Sequence, residues 1–71
     1  MTTKVNTYSA TVDAGVRAAQ EWQRGSTAEL SRWEAESLTL AGRQWLAQWI
    51  TREMSEDRLR ALIAKCVGMG Y

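Results

Sequence analysis

The sequence predicts an all-α fold, a small bundle of three to four helices with an extended N-terminal segment. Apolar residues recur at helical spacing in three stretches, residues 10–24, 40–53 and 55–67. The boundaries between these stretches carry capping residues and glycines, and the 71 residues include no proline. Short connections favour antiparallel neighbours, so these helices are expected to form one compact bundle.

The N-terminal residues 1–9 are predicted to form a flexible or extended arm, ahead of a bundle domain that spans residues 10–71. Val5 and several threonines make this stretch rich in β-branched side chains, and it shows no helical period. The arm is either a frayed terminus or an extended segment that adds to the sheet edge of a partner or pairs with a copy of itself.

The first helix is predicted over residues 10–24. Val12, Val16 and Ala19 lie on one face, at the i, i+4 and i+7 spacing of a buried stripe. Opposite charges alternate along another face from Asp13 to Arg24, which is typical of a solvated surface. Gly25 then supplies a left-handed residue at which the helix ends.

A second helix is predicted from Ser26, which with Glu29 three residues later matches a capping box. This helix either breaks near Thr39 or continues to residue 53. Gly42 favours a break, because glycine costs about 1 kcal/mol relative to alanine inside a helix. A short strand over Leu38–Leu40 is a third alternative.

Residues 40–53 form the most apolar segment, with Trp45, Leu46, Trp49 and Ile50 on one broad stripe. Such a stripe predicts a helix that faces the core along much of its length.

The last helix is predicted to begin at Ser55, after which two acidic residues occupy the first turn, where the helix dipole favours them. Met54 and Leu59 have the spacing of a hydrophobic staple. The apolar stripe of this helix consists of Leu59, Leu62, Ile63 and Cys66. Gly68 is the predicted stop.

Catalytic residue types are scarce in this sequence. It contains no histidine and one cysteine, Cys66, which the stripe places on an apolar face. A nucleophile needs a base to activate it, and a buried thiol has a raised pKa. One cysteine excludes an internal disulfide, and a zinc site without histidine would need an unusual ligand set. We therefore expect no enzymatic activity, no metal and no cofactor.

The charge is nearly balanced, with nine basic and eight acidic residues and a net charge of +1. A strong general polyanion binder would show a marked basic excess, so nucleic acid is a disfavoured partner. No apolar run approaches the roughly 18 residues of a membrane span, and the N-terminus has no signal-peptide core. The expected location is cytoplasmic, without membrane association.

Tryptophan and arginine are the residues most enriched at binding hot spots. The candidate partner-binding residues are therefore Trp22, Trp33, Trp45, Trp49, Arg52, Arg58 and Arg60. Two interpretations of the tryptophans stay open. Either all four fill the core of a chain that has no phenylalanine, or one or more contacts a partner or a second copy.

These observations predict a small, non-enzymatic protein–protein interaction module, with self-association into a homo-oligomer as a further expectation. By analogy of type, small chains without catalytic residues are often inhibitors carried by phages and mobile elements, such as anti-CRISPR proteins, which block a larger bacterial host protein or complex. The alternative is a small helical nucleic-acid-binding regulator that uses Arg52, Arg58, Arg60 and Lys65. A structural assembly component is the third class.

Overall fold

The computed structural model describes residues 7–68, which form four helices: α1 (Thr7–Gln23), α2 (Ala28–Ser37), α3 (Leu40–Trp49) and α4 (Glu56–Gly68). The predicted all-α fold is confirmed. There is no strand within residues 7–68, so the alternative of a short strand at residues 38–40 is wrong.

The predicted break near Thr39 separates α2 from α3. Leu38 and Thr39 both have extended backbones, and the Thr39 hydroxyl accepts a hydrogen bond of 3.2 Å from the backbone N–H of Gly42. This is an N-cap in its usual geometry. The break turns the chain while Leu38 stays buried.

The predicted capping box at Ser26 does not form. Ser26 instead donates its N–H to the Glu21 carbonyl at 3.0 Å, and Gly25 donates to Trp22, also at 3.0 Å. Gly25 has a φ of 107°. These bonds form a Schellman motif that ends α1. Because Ser26 belongs to that motif, α2 begins at Ala28, and Thr27 is its N-cap without a side-chain bond.

The helix α1 begins at Thr7, three residues earlier than predicted. The Tyr8 hydroxyl donates a hydrogen bond of 2.9 Å to the Ala64 carbonyl, which ties this first turn to α4. The remainder of the predicted arm, residues 1–6, lies outside the described residues.

The other two helices also differ from their predicted bounds. α3 ends at Trp49 rather than at residue 53, because Ile50 is extended. α4 follows Ser55 as predicted, and the Ser55 hydroxyl accepts from the N–H of Arg58 at 3.3 Å. Gly68, the predicted stop, is the last residue of α4.

The core lies where α2 and α4 pack against α1, while α3 packs on α4. Its centre consists of side chains that are fully buried or nearly so: Val12, Val16, Ala18, Ala19, Leu30, Trp33, Leu38, Leu46, Leu59, Ile63 and Cys66. The Trp33 indole crosses α1 and donates its N–H to the Thr11 carbonyl at 3.0 Å. A buried indole N–H needs such a partner.

Gly15 is required for this packing. A Cβ at this position would lie 2.5 Å from Cζ2 of Trp33 and 2.8 Å from Cγ2 of Ile63. Both distances are well below van der Waals contact. The bare backbone of Gly15 therefore lets α2 and α4 approach α1 at the same level.

We expect Gly15→Ala to lower the free energy of unfolding by about 1–2 kcal/mol, because overpacking against a rigid ring outweighs the gain in helix propensity. Urea unfolding followed by tryptophan fluorescence measures the difference. Gly68→Ala is the control, since its Cβ would meet the Tyr8 hydroxyl at an ordinary 3.4 Å. A Gly15→Ala protein as stable as wild type would contradict this account.

Candidate protein-binding groove

The four tryptophans occupy three different environments. Trp33 is buried in the core, and Trp22 and Trp45 are half-buried against it. Trp49 is 57% exposed. The interpretation in which all four fill the core is therefore wrong, and Trp49 is the tryptophan that the fold leaves open to contact.

A surface groove runs beside Trp49, between the end of α3 and the outer face of α4. It has a volume of about 280 Å³. We call it the Trp49 groove, and its lining residues are Trp49, Met54, Arg58, Ala61, Leu62 and Lys65. A smaller depression of about 220 Å³ adjoins it, shares Trp49, Met54 and Arg58, and is also lined by Thr51 and Glu53.

One wall of the Trp49 groove follows from the periodicity of α4. Leu59, Ile63 and Cys66 are buried in the core. Arg58 and Lys65 are exposed, and Leu62 between them is half-buried. All four residues of the predicted apolar stripe contact the core, and Leu62 at its margin also lines the groove.

The turn between α3 and α4 is held by the end of α1. The Gln23 amide donates to the carbonyl of Thr51 at 3.3 Å and to that of Met54 at 3.0 Å. The Arg52 guanidinium lies 4.5 Å from the centre of the Trp22 ring. A cation–π contact at an exposed site contributes about 0.5–1 kcal/mol. These contacts fix Met54 at the edge of the groove.

The Trp49 ring is supported by Trp45. The two ring centroids are 6.4 Å apart, and the planes are inclined by 47°. Aromatic pairs in this range contribute about 0.5–1.5 kcal/mol beyond the area that they bury. Trp45 is itself packed against the core, so its contact restricts the movement of the exposed Trp49 indole.

The three candidate arginines have different environments. Arg60 forms an ion pair with Asp13 at 2.5 Å, and Glu56 lies 4.0 Å away. Its hydrogen bond to Asp13 raises the pKa of Arg60. Arg52 stacks on Trp22. Only Arg58 lines the groove, and so the structure brings together Arg58 and Trp49 from the predicted set.

Sequence reasoning missed Met54, Ala61 and Leu62 as groove residues. The sequence pattern predicts only helix packing for Met54 and Leu62, and both do pack against the core. Their second role depends on where α3 ends relative to α4. Lys65, which was considered only as a nucleic-acid contact, also lines the groove.

A larger depression of about 530 Å³ lies between α1 and α2. Its polar lining mixes two guanidiniums with three carboxylates: Arg17, Arg32, Glu21, Glu29 and Glu36. Trp33, its one aromatic residue, is already buried in the core. This mixed-charge surface offers no exposed aromatic anchor, and the Trp49 groove is therefore the better candidate for a binding site.

Cys66 lies in an environment that suppresses its reactivity. It is fully buried, and its thiol donates to the Ile63 carbonyl at 3.4 Å. Burial, and then the negative charge of Glu34, raise its pKa to about 11. Burial also raises the pKa of Glu34, and Arg43 lowers it in part. Within residues 7–68, no group of three His, Cys, Asp or Glu side chains could hold a metal ion.

Gln23→Met preserves the length of the side chain but removes both hydrogen bonds to the α3–α4 turn. We expect a loss of about 1–2 kcal/mol in the free energy of unfolding. Amide hydrogen exchange should accelerate at residues 50–55 more than in α1. Gln44→Met, at an exposed position of α3, is the matched control and should change neither quantity. Unchanged exchange in the turn would show that Gln23 does not hold it.

The Cys66 thiol should react with a disulfide reagent far more slowly in the folded protein than in urea at pH 8, because it is buried and protonated. The folded protein also holds this proton more tightly than the unfolded chain does. Stability should therefore fall as the pH rises from about 9 towards 11. Cys66→Ala should have a flatter pH dependence in urea unfolding. Rapid labelling of the folded protein at pH 8 would contradict the burial.

No helix within residues 7–68 is long and apolar enough to cross a membrane. Comparison with protein families, with curated proteins and with solved structures gave no significant match to this chain.

Proposed function

We propose that this protein is a small, non-enzymatic protein–protein interaction module whose partner docks on the Trp49 groove. The observation that carries this proposal is the exposed indole of Trp49, which borders a groove whose apolar floor includes Met54 and Leu62. Large aromatic side chains beside a pocket are typical of binding hot spots.

The energetics support a protein partner. Covering the exposed part of an indole with apolar groups contributes on the order of 2–3 kcal/mol. The ring already rests on Trp45, and the turn beside it is tied to Gln23. Little conformational entropy is then lost at this site when a partner binds, and preorganisation of this kind increases affinity.

An inhibitory mode of action fits such a module. By occupying a surface of a larger host protein or complex, a small rigid bundle blocks that surface without performing a reaction. This is the mode that the sequence suggests by analogy with inhibitors carried by phages and mobile elements.

We expect Trp49→Ala to weaken partner binding at least tenfold, while the lost contact with Trp45 lowers the free energy of unfolding by about 0.5–1.5 kcal/mol. Leu40→Ala is the matched control. Leu40 is 63% exposed on the same helix but does not line the groove. Calorimetric titration of the partner compares the two variants.

The partner can be captured by a photo-crosslinking residue placed at Ala61 in the groove, in the cells that encode the protein. The same residue at Ala14, in the α1–α2 depression, is the positional control. We expect a protein adduct from Ala61 alone, and its loss with Trp49→Ala. Equal adducts from both positions, or an adduct that survives Trp49→Ala, would assign the binding to another surface.

A further inference from the structure

The charged side chains that line the Trp49 groove are of one sign. Its six lining residues include two cations, Arg58 and Lys65, and no carboxylate. Neither cation forms an ion pair in the part of the chain that the structure describes. The α1–α2 depression, by contrast, holds three carboxylates beside two arginines.

The spacing of α4 explains why these two cations have no ion-pair partner among the described residues. Side chains three or four residues apart are neighbours on a helix. Glu56 therefore reaches Arg60, which also pairs with Asp13. Within the described residues, the neighbours of Arg58 and Lys65 at this spacing include no carboxylate. Three of them, Met54, Ala61 and Leu62, line the groove. Both cations thus flank apolar surface, and no carboxylate within residues 7–68 forms an ion pair with them.

The groove has a regular charge pattern along α4. Arg58 and Lys65 are seven residues apart, which is two helical turns or roughly 10 Å, and Leu62 lies between them. An α-helix with carboxylates seven residues apart and an apolar residue between them presents the complementary pattern at the same pitch. Glu53 lines the adjoining depression together with Arg58, but it does not line the Trp49 groove.

We propose that the Trp49 groove binds an acidic amphipathic helix of the partner protein, with an apolar side chain against Trp49 and Leu62 and carboxylates opposite Arg58 and Lys65. This inference rests on the proposed function and specifies its partner. Apolar contact supplies the anchor, and the charges set specificity and orientation.

The test is a selection of randomised displayed peptides on the purified full chain. We expect the enriched peptides to carry an apolar residue with acidic residues three to four positions on either side. The best peptide should lose at least tenfold in affinity for Trp49→Ala. Its affinity should fall by as much for the charge-reversed double variant Arg58→Glu and Lys65→Glu. Because both positions are exposed, this variant should fold normally, which circular dichroism checks.

A matched control separates a local effect from a change in net charge. Arg17→Glu and Arg32→Glu reverse the same number of charges in the α1–α2 depression. Binding to this variant should stay within about twofold of wild type. The neutral pair Arg58→Gln and Lys65→Gln should weaken binding less than the charge reversal does.

The remaining outcomes each overturn part of the proposal. Enriched peptides that need Trp49 but are no more acidic than the library would end the charge inference and leave the proposed function standing. The absence of any Trp49-dependent peptide would end both. A dimer abolished by Trp49→Ala would assign the groove to a second copy. Low-salt DNA binding abolished by the charge-reversed pair would assign the cations to phosphate.

Discussion

The contact between the Trp33 indole and the bare backbone of Gly15 determines the arrangement of the bundle. A rigid ring from α2 and Ile63 from α4 both reach α1 at this one position. The indole N–H is satisfied by the Thr11 carbonyl, so the ring is fixed in orientation as well as in position. A chain this short buries a modest share of its surface and must compensate by close packing.

The same helix that accepts Trp33 also positions the groove. At its beginning, α1 is tied to α4 through the Tyr8 hydroxyl, and at its end it holds the α3–α4 turn through Gln23. The helix α4 is therefore held near both of its ends, so the wall of the groove that α4 forms is fixed in position. Because α3 packs mainly on α4, its last residue, Trp49, projects beyond the core and stays exposed.

Local signals in the sequence predicted most of the fold. The helical periodicity, the Gly25 stop and the break at Thr39 all depend on residues within a few positions of one another. The prediction of a capping box at Ser26 is wrong because two local motifs compete for this residue. Ser26 completes the Schellman motif at the end of α1 and therefore does not cap α2. The end of α3 could not be read locally, since Gln23 holds the turn across 28 residues.

The sequence predicted which residue types form the candidate site, but not which tryptophan and which arginine lie together on the surface. Trp45 and Trp49 are four residues apart on one stripe, so periodicity alone cannot tell which of them is exposed. The answer depends on where α3 ends, which is a tertiary effect. Arg58 and Arg60 are likewise near neighbours, and only the packing of α1 on α4 gives Arg60 its partner Asp13.

Exposure alone does not single out Trp49, because Leu40 is even more exposed. A single exposed apolar side chain is common on protein surfaces and needs no functional explanation. Trp49 differs because Trp45 supports its ring and because Met54 and Leu62 continue its apolar surface. Arg58 and Lys65 border this surface, and neither forms an ion pair with a carboxylate of residues 7–68. Support, apolar continuity and charges of one sign coincide at this position, and that coincidence is what distinguishes a binding groove from an incidental exposed ring.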